Sequence, residues 1–120
     1  MNVINRAALG FAGLCGALGV ALSAIAAHAG GGNLGVAASF LLAHAPAFLV
    51  LGFVAGKLLR VGSWALLAGL ILFAGDLVSR DYLGQRLFPL AAPSGGILMI
   101  AGWVLIGAQA FFGRLHYPTR

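Results

Sequence analysis

Four long apolar runs, separated by short polar or glycine-rich links, dominate the pattern of this chain. The runs cover residues 6–27, 34–56, 61–79 and 95–113. Each is close to the roughly 20 residues that an α-helix needs to cross a hydrocarbon core of about 30 Å. The pattern therefore predicts an all-α fold, an integral membrane four-helix bundle, with residues 1–120 forming a single transmembrane domain.

The composition excludes a soluble globular protein. Hydrophobic residues occupy 62% of the 120 positions and charged residues 8%, and the mean hydropathy is +1.05. A soluble domain carries about 25% charged residues. The seven basic and two acidic residues give a net charge of +5, but the basic residues are spread along the whole chain. They form no basic patch, so we expect no nucleic-acid partner.

The distribution of basic residues predicts the orientation in the membrane. If the four runs cross in turn, Arg80 and Arg86 lie on one side. The other side collects a larger set, which consists of Arg6, Lys57, Arg60, Arg114 and Arg120. Because basic residues are enriched on the cytoplasmic side of membrane proteins, we expect a multi-pass protein with both termini in the cytoplasm.

The first run also has features of a cleaved signal peptide. Arg6 precedes an apolar stretch, and Ala27-His28-Ala29 has the small-x-small pattern of a cleavage site. The run is long for the apolar region of a signal peptide, so we interpret it as the first span. A mature N-terminus at Gly30 would reduce the number of spans and reverse the orientation.

Small residues recur every three or four positions in three of the runs, as is typical of helix interfaces in membranes. The first run contains Gly10, Gly13, Ala17, Ala21 and Ala24, and His28 continues this stripe. The third run contains Gly62, Ala65 and Gly69, with Asp76 on the same face. The fourth run contains Gly95, Gly102, Gln109 and Gly113. We predict that these stripes are helix-packing surfaces, that Trp103 packs between helices, and that the polar side chains face the bundle.

Two ionisable residues inside the runs require an explanation, because a charge in lipid is costly. Asp76 precedes Arg80 by four residues, so the two can form a structural ion pair along one helix. The alternative is a proton or cation site. His44 lies about 15 Å into the second run and is followed by Pro46. It is either a neutral imidazole bonded to a neighbouring helix or a proton relay or ligand contact.

The start of the fourth run is a further candidate site. Ser94 is a good N-cap residue, and the unpaired amides of a helix N-terminus attract anions. In the expected orientation this helix start falls in the outer half of the bundle, so we predict an outward-facing polar pocket there. The candidate ligand or proton site consists of His28, His44, Asp76, Ser94, Gly95 and Gly96.

Motifs for catalysis are absent from the sequence. The chain contains no phosphate-binding loop, no His-Glu-x-x-His sequence, no nucleophile elbow and a single cysteine. The two histidines in different runs are a weak signal for a metal or haem. We therefore expect no enzymatic activity, no metal and no cofactor.

Several segments resemble a known family of small bacterial membrane proteins, DUF423. Residues 21–28 (ALSAIAAH) resemble the end of that family's first helix, and residues 43–45 (AHA) resemble a motif in its second helix. Residues 72–77 (LFAGDL) resemble a third motif. Residues 92–96 (APSGG), followed by 101–103 (AGW), resemble a fourth. The motifs occur in the same order and spacing over about residues 10–113.

The resemblance implies a four-helix protein of the bacterial inner (cytoplasmic) membrane with no known function. Asp76 departs from the family pattern, which tends to have Ser there, and Pro46 is also unusual. The residues that match family positions are His28, His44, Pro93, Gly95, Gly96 and Trp103.

Two functions remain open from the sequence. The first is a non-catalytic accessory or structural component that packs against membrane lipids or a larger membrane complex. It is favoured because little of the chain lies outside the runs. The alternative is a small-molecule or proton-coupled carrier that uses the polar pocket. Because four short helices enclose little volume, a carrier of this size would be expected to form a homodimer.

Overall fold

A computed structural model describes residues 3–29 and 32–113, and within these residues the chain forms four α-helices. The helices are α1 (Val3–Ala29), α2 (Gly32–Leu51), α3 (Lys57–Leu83) and α4 (Ala91–Phe112). All four are long and apolar enough to cross a membrane. The fold is therefore the predicted all-α membrane bundle.

The helix boundaries differ from the predicted spans at two places. The second span was predicted to continue to residue 56, but α2 ends at Leu51, where the amides of Gly52 and Phe53 bond back to the last turn. The fourth span was predicted to begin at Gly95, but α4 begins at Ala91, immediately after Leu90, whose φ is 67°. The apolar pattern indicates which residues lie within the membrane, whereas local hydrogen bonds determine where a helix begins and ends.

The helices run alternately up and down, so the bundle has two ends. We call the end that holds Lys57 and the start of α1 the Lys57 end, and the end that holds Asp81 and the start of α2 the Asp81 end. The backbones of helices consecutive in sequence pack closely: α1 on α2, α2 on α3, and α3 on α4. Among the described residues, the backbones of α1 and α4 do not approach each other.

The closest helix contact joins α3 and α4 through two pairs of glycines. An ideal Cβ on Gly69 would lie 2.5 Å from the carbonyl oxygen of Gly95, and one on Gly62 would lie 2.8 Å from that of Gly102. The reciprocal substitutions meet the same obstacles, because Cβ atoms on Gly95 and Gly102 would lie 2.6 and 2.8 Å from the partner carbonyls. Glycine at a spacing of seven on both helices therefore permits the backbones to touch.

The predicted packing stripe of α1 is wrong for this bundle. Gly10, Gly13 and Ala17 are exposed, and Cβ atoms on the two glycines would meet nothing within 4 Å. The face of α1 that packs on α2 instead contains Ala12, Cys15, Gly16 and Gly19. Both faces carry small residues at helical spacing, so the spacing alone did not distinguish them.

The buried core is shared by the four helices and is almost entirely aliphatic or aromatic. Phe48 of α2 and Leu66 and Leu70 of α3 are the largest apolar side chains within it. The remaining buried members are Ala12 and Cys15 of α1, Ala37 and Leu41 of α2, Ala74 and Leu77 of α3, and Met99 of α4. The few polar groups inside this core must therefore find partners within the chain.

Candidate functional site

Asp76 is fully buried and all of its described contacts lie within its own hairpin. Its Oδ2 accepts hydrogen bonds from Nε and Nη2 of Arg80, at 3.0 and 2.8 Å. Its Oδ1 accepts a hydrogen bond from the backbone amide of Leu87, at 2.9 Å. The carboxylate thus pairs with a cation one turn away and at the same time fixes the loop between α3 and α4.

That loop, residues 84–90, folds back along the last turns of α3. Gly95 lies beside Gly69 and Phe73, so α4 begins level with the region around Asp76, about 10 Å short of the last residue of α3. Gly84, with φ 73°, ends α3 in the left-handed conformation that glycine adopts without strain. The loop then fills the place that a longer α4 would occupy.

A non-helical backbone at this depth needs hydrogen-bond partners, because lipid supplies none. Asp76 accepts from the amide of Leu87, and the hydroxyl of Ser79 donates to the carbonyl oxygen of Gln85 at 2.7 Å. Both side chains lie on the buried face of α3. Asp76 and Ser79 therefore provide hydrogen-bond partners for backbone groups of the loop, which in a helix would bond to other backbone groups.

His44 is buried near the middle of the bundle and has a partner on each ring nitrogen. Its Nδ1 lies 2.8 Å from the carbonyl oxygen of Phe40, and its Nε2 lies 3.3 Å from Nε1 of Trp103 on α4. An indole nitrogen can only donate and a carbonyl oxygen can only accept. The contacts therefore define a neutral imidazole that carries its proton on Nδ1 and accepts the Trp103 bond on Nε2.

Aromatic rings surround this imidazole and connect the helices. The His44 ring lies 6.3 Å from Phe40, 6.4 Å from Phe48 and 5.7 Å from Trp103, measured between centroids. Phe40 in turn packs against Phe73 of α3, at 4.6 Å. This cluster was missed by the sequence reasoning, although the spacing of four between Phe40, His44 and Phe48 was a signal for one shared face.

Asp81, on the last turn of α3, caps the start of α2. Its Oδ2 accepts a hydrogen bond from the amide of Leu34, and its Oδ1 accepts one from the side chain of Asn33, both at 2.9 Å. An acceptor at a helix N-terminus satisfies an amide that has no partner within the helix. Sequence reasoning also missed this role, because the cap and its helix are 47 residues apart.

We expect Asp81→Ala to lower the free energy of unfolding by about 1 kcal/mol, the usual cost of removing an N-terminal cap. Amide hydrogen exchange of residues 32–36 should rise while exchange in the middle of α3 stays unchanged. Asp81→Asn is the matched control, because its amide oxygen retains one acceptor and should preserve most of the protection. Unchanged exchange in the alanine variant would contradict the cap.

Gln109 of α4 performs the corresponding role at the Lys57 end. Its Oε1 accepts hydrogen bonds from the amides of Leu58 and Leu59, at 2.9 and 3.3 Å. The side chain is 2% exposed and packs so closely that an ideal Cβ on Gly56 would lie 2.7 Å from its Cδ. Each end of the bundle thus has a helix whose first turn is capped by the next helix in sequence.

The predicted polar pocket is not assembled in the structure. His28 is exposed, and its Nδ1 donates to the carbonyl oxygen of Ala24 on its own helix, at 2.9 Å. Ser94 is also exposed and lies in the first turn of α4, where its amide bonds to Leu90, so its prediction as the N-cap is wrong.

Gly95 and Gly96 do not form the predicted anion site at the start of α4. Gly95 is buried against Gly69 and Phe73, and a Cβ atom added to Gly96 would meet nothing within 4 Å. Because α4 begins four residues earlier than predicted, neither glycine lies at the bare end of the helix. Asp76 is occupied by Arg80 and Leu87. The six predicted residues therefore lie in separate environments rather than around one cavity.

An apolar groove of about 310 Å³ lies between α2 and α4. It is lined by Pro46, Ala47, Val50, Leu51, Trp103 and Ile106. These residues lie between the His44 level and the Lys57 end, so the groove is in the opposite half of the bundle from the predicted pocket. Among the residues that the structure describes, no group of three or more His, Cys, Asp or Glu could hold a metal ion.

The fold and these contacts define a class of protein. It is a small integral membrane protein with four spanning helices, in which buried polar side chains bind the chain's own helix ends and loop. The chain belongs to the DUF423 family, because the model of that family, described as a protein of unknown function, matches residues 16–96. The match includes His44 and Asp76 and stops before Trp103 and Gln109.

Curated relatives are named as membrane proteins. UPF0382 membrane protein YwdK of Bacillus subtilis (strain 168) is 32% identical over 72 residues, which cover 56% of this chain and 58% of that protein. UPF0382 membrane protein SH2409 of Staphylococcus haemolyticus (strain JCSC1435) is 26% identical over 109 residues, which cover 82% and 89%. UPF0382 membrane protein SAB0533 of Staphylococcus aureus (strain bovine RF122 / ET3-1) is 27% identical over 78 residues, which cover 62% and 64%.

In the first and third of these alignments the chain spans less than two-thirds of the relative's length. No solved structure matches the chain. The family and the relatives' names agree with the membrane fold, and neither names a catalytic family.

Proposed function

We propose that this chain is a non-catalytic accessory or structural component of the bacterial inner membrane, packing against lipid or a larger membrane complex. The observation that carries the proposal is the use of the buried polar groups. Asp76 fixes the loop, Gln109 caps α3, and His44 bonds to Phe40 and Trp103. Each of these groups stabilises the fold itself.

The outward surfaces of α1 and α4 are suited to association within the membrane. The two helices do not pack on each other among the described residues. The outward face of α1 carries Gly10, Gly13 and Ala17, small residues that let another helix approach closely, flanked by exposed large apolar side chains such as Leu14 and Val20. The outward face of α4 carries large apolar side chains such as Ile97, Ile100 and Val104. A larger complex or a second copy of the chain would cover these faces.

The proposed orientation places both termini in the cytoplasm. Arg6, Lys57 and Arg60 lie at the Lys57 end, and Arg80 and Arg86 lie at the Asp81 end. Basic residues favour the cytoplasmic side, which supports a cytoplasmic Lys57 end. Arg114 and Arg120, which were predicted to lie on the same side, are outside the described residues.

The carrier alternative gains no support from the described contacts. A proton relay through His44 requires the ring to accept a proton and pass it on, but protonation of Nε2 would direct its N–H at the N–H of Trp103. A carrier through Asp76 requires the carboxylate to exchange partners, but its two oxygens hold Arg80 and Leu87. The groups that a carrier needs are used in structural bonds.

The proposal is tested by measuring both association and transport. Membranes that express the full chain at native level would be solubilised gently and separated on a native gel. We expect the chain, of 12.2 kDa, in a defined species well above the size of its own dimer. Migration only as a monomer, in several mild detergents, would contradict an accessory role in a complex.

Transport is measured with the purified chain in liposomes that contain a pH-sensitive dye. Under an imposed potential we expect proton flux equal to that of protein-free liposomes, in the parent chain and in Asp76→Asn. Ser39→Ala, a change on the exposed face of α2, is the matched control. Flux that is present in the parent and in the control but lost in Asp76→Asn would overturn the proposal in favour of the carrier.

A further inference from the structure

The loop between α3 and α4, residues 84–90, is exposed along its whole length although it folds back below the end of α3. The hydrogen bond to Asp76 places the amide of Leu87 seven residues, or about 10 Å, short of Leu83. A Cδ atom of Leu87 also lies 3.4 Å from the position of an ideal Cβ on Gly75. The loop therefore lies against α3 at the level of Gly75 and Asp76, with its other side open to the surroundings.

Several backbone groups of this loop have no hydrogen-bond partner in the described part of the chain. The side chains of Asp76 and Ser79 each serve one of its groups, and two of its carbonyl oxygens accept from amides of α4. The groups without such a partner include the amides of Arg86, Phe88 and Leu90 and the carbonyl oxygens of Arg86 and Leu87. Irregular backbone does not face hydrocarbon, because lipid tails offer no hydrogen bond. Water or lipid headgroups must therefore reach this loop.

The length of α3 agrees with a hydrocarbon boundary at the level of this loop. The 27 residues of Lys57–Leu83 span about 40 Å, about 10 Å more than a hydrocarbon core of about 30 Å. The part from Lys57 to Asp76 spans about 28 Å, and the part from Asp76 to Leu83 accounts for the excess. A strong tilt of α3 would also accommodate its length, but it would draw the unpaired amides of the loop into hydrocarbon.

Arg86 carries the single charge of the loop. Its side chain is exposed and has no ion pair or hydrogen bond within the described residues. The peptide groups on both of its sides are bonded to side chains of α3, so the backbone at Arg86 is held in place. The two acidic side chains of the sequence, Asp76 and Asp81, are bonded to other groups of the chain. Arg86 therefore presents a cation at the hydrocarbon boundary without a protein counterion in the described structure.

We propose that residues 84–90 form a surface that binds the phosphate layer of the leaflet at the Asp81 end. Arg86 contacts a lipid phosphate, and the exposed side chains of Phe88 and Leu90 lie at the upper ends of the acyl chains. Lipid phosphates lie just outside the hydrocarbon, at the level that the unpaired amides indicate, and their charge is opposite to that of Arg86. The surface requires only that the protein spans a membrane, so it stands independently of the accessory role.

Spin labels on single cysteines locate the boundary. Cys15→Ala removes the native buried cysteine, and one cysteine is then introduced by Ile71→Cys, Leu83→Cys or Phe88→Cys, at positions that are exposed. In phosphatidylcholine vesicles, the ratio of collisions with oxygen to collisions with a water-soluble nickel chelate reports the depth of each label.

We expect the label at position 71 to lie about 7 Å inside the hydrocarbon and the label at position 83 about 10 Å outside it. The label at position 88 should lie within one helical turn, about 5 Å, of the boundary. A label at position 83 as deep as the label at position 71 would place the boundary at the end of α3 and overturn the proposal. A label at position 88 in the middle of the hydrocarbon, or away from the bilayer in bulk water, would do the same.

The contact with phosphate is tested by solid-state NMR. The full chain, labelled with ¹³C at the Cζ atoms of arginine, is placed in phosphatidylcholine bilayers, and the dephasing of the ¹³C signal by ³¹P is measured. Arg86→Gln should lower the absolute dephased intensity by about the share of one arginine. Gln85→Ala, a change at the neighbouring exposed residue, is the matched control and should leave it unchanged. The same dephased intensity in Arg86→Gln and in the parent would show that Arg86 does not contact phosphate and would refute the proposal.

Discussion

Gly95→Ala should destabilise the bundle by about 3 kcal/mol, the upper part of the usual range for overpacking an interior. The added Cβ would lie 2.6 Å from the carbonyl oxygen of Gly69 and 2.7 Å from the backbone nitrogen of Phe73. Both obstacles are backbone atoms of α3 and cannot rotate away. The two helices must therefore separate, which weakens the contact at Gly62 and Gly102 as well.

The free energy of unfolding is measured in mixed micelles by titration with a denaturing detergent. Gly96→Ala is the matched control, since it adds the same methyl group to the adjacent position of the same helix, where nothing lies within 4 Å. Alanine favours a helix over glycine by up to about 1 kcal/mol, so this variant should be as stable as the parent or more so. Equal losses in the two variants would show that the glycine contact is unimportant.

Asp76→Asn should lower the free energy of unfolding by about 3 kcal/mol. The substitution removes the charge partner of Arg80 and weakens the acceptor for the amide of Leu87 in a buried position. The side chain of Arg80 is 30% exposed, so solvation of its guanidinium group offsets part of the loss of the ion pair. The effect should be local as well as global. Amide exchange at residues 84–90 should increase more than exchange in α1 or α2.

A double-mutant cycle separates the ion pair from the loop contact. Arg80→Gln in the parent removes the cation, and Arg80→Gln in Asp76→Asn removes a cation that has already lost its partner. We expect the double variant to be more stable than the sum of the two single losses predicts, by about 1 kcal/mol or more. Strict additivity would indicate that Asp76 stabilises the protein through Leu87 alone.

The number of helices and the membrane class followed from the sequence because each depends on a property of long segments. Twenty apolar residues have few alternatives to a spanning helix. The position of a helix end depends on single bonds. The start of α4 was predicted at Gly95 from a capping pattern, whereas the chain turns at Leu90 and lets Asp76 hold the loop. Ser94 is a residue type that is favoured at N-caps, but the start of α4 does not lie there.

The partner of Asp76 on its own helix, Arg80, was predicted from the spacing of four, but the partners of Asp81 and Gln109 could not be predicted, because they are backbone groups of another helix. Asp81 and Gln109 bond to amides at the starts of α2 and α3. The residue types at a helix start do not show which side chain of another helix will accept a hydrogen bond from its amides. The register between helices decides which amide faces which side chain. His44 was assigned a neighbouring helix as its partner, but Trp103 became identifiable only when α2 and α4 were placed side by side.

The packing of each helix on the next one in sequence has a consequence for biogenesis. Among residues 3–29 and 32–113, close backbone contacts join successive helices only, which gives a low contact order, a property that is associated with fast folding. Each hairpin can associate as soon as its second helix leaves the translocation machinery, without waiting for the C-terminus. Some side-chain contacts join helices that are not successive, such as the ring contact of Phe11 in α1 with Trp64 in α3. The hydrogen bond between Trp103 and His44 joins α2 to α4. It can form only after synthesis of the last helix, so it would mark the completion of assembly.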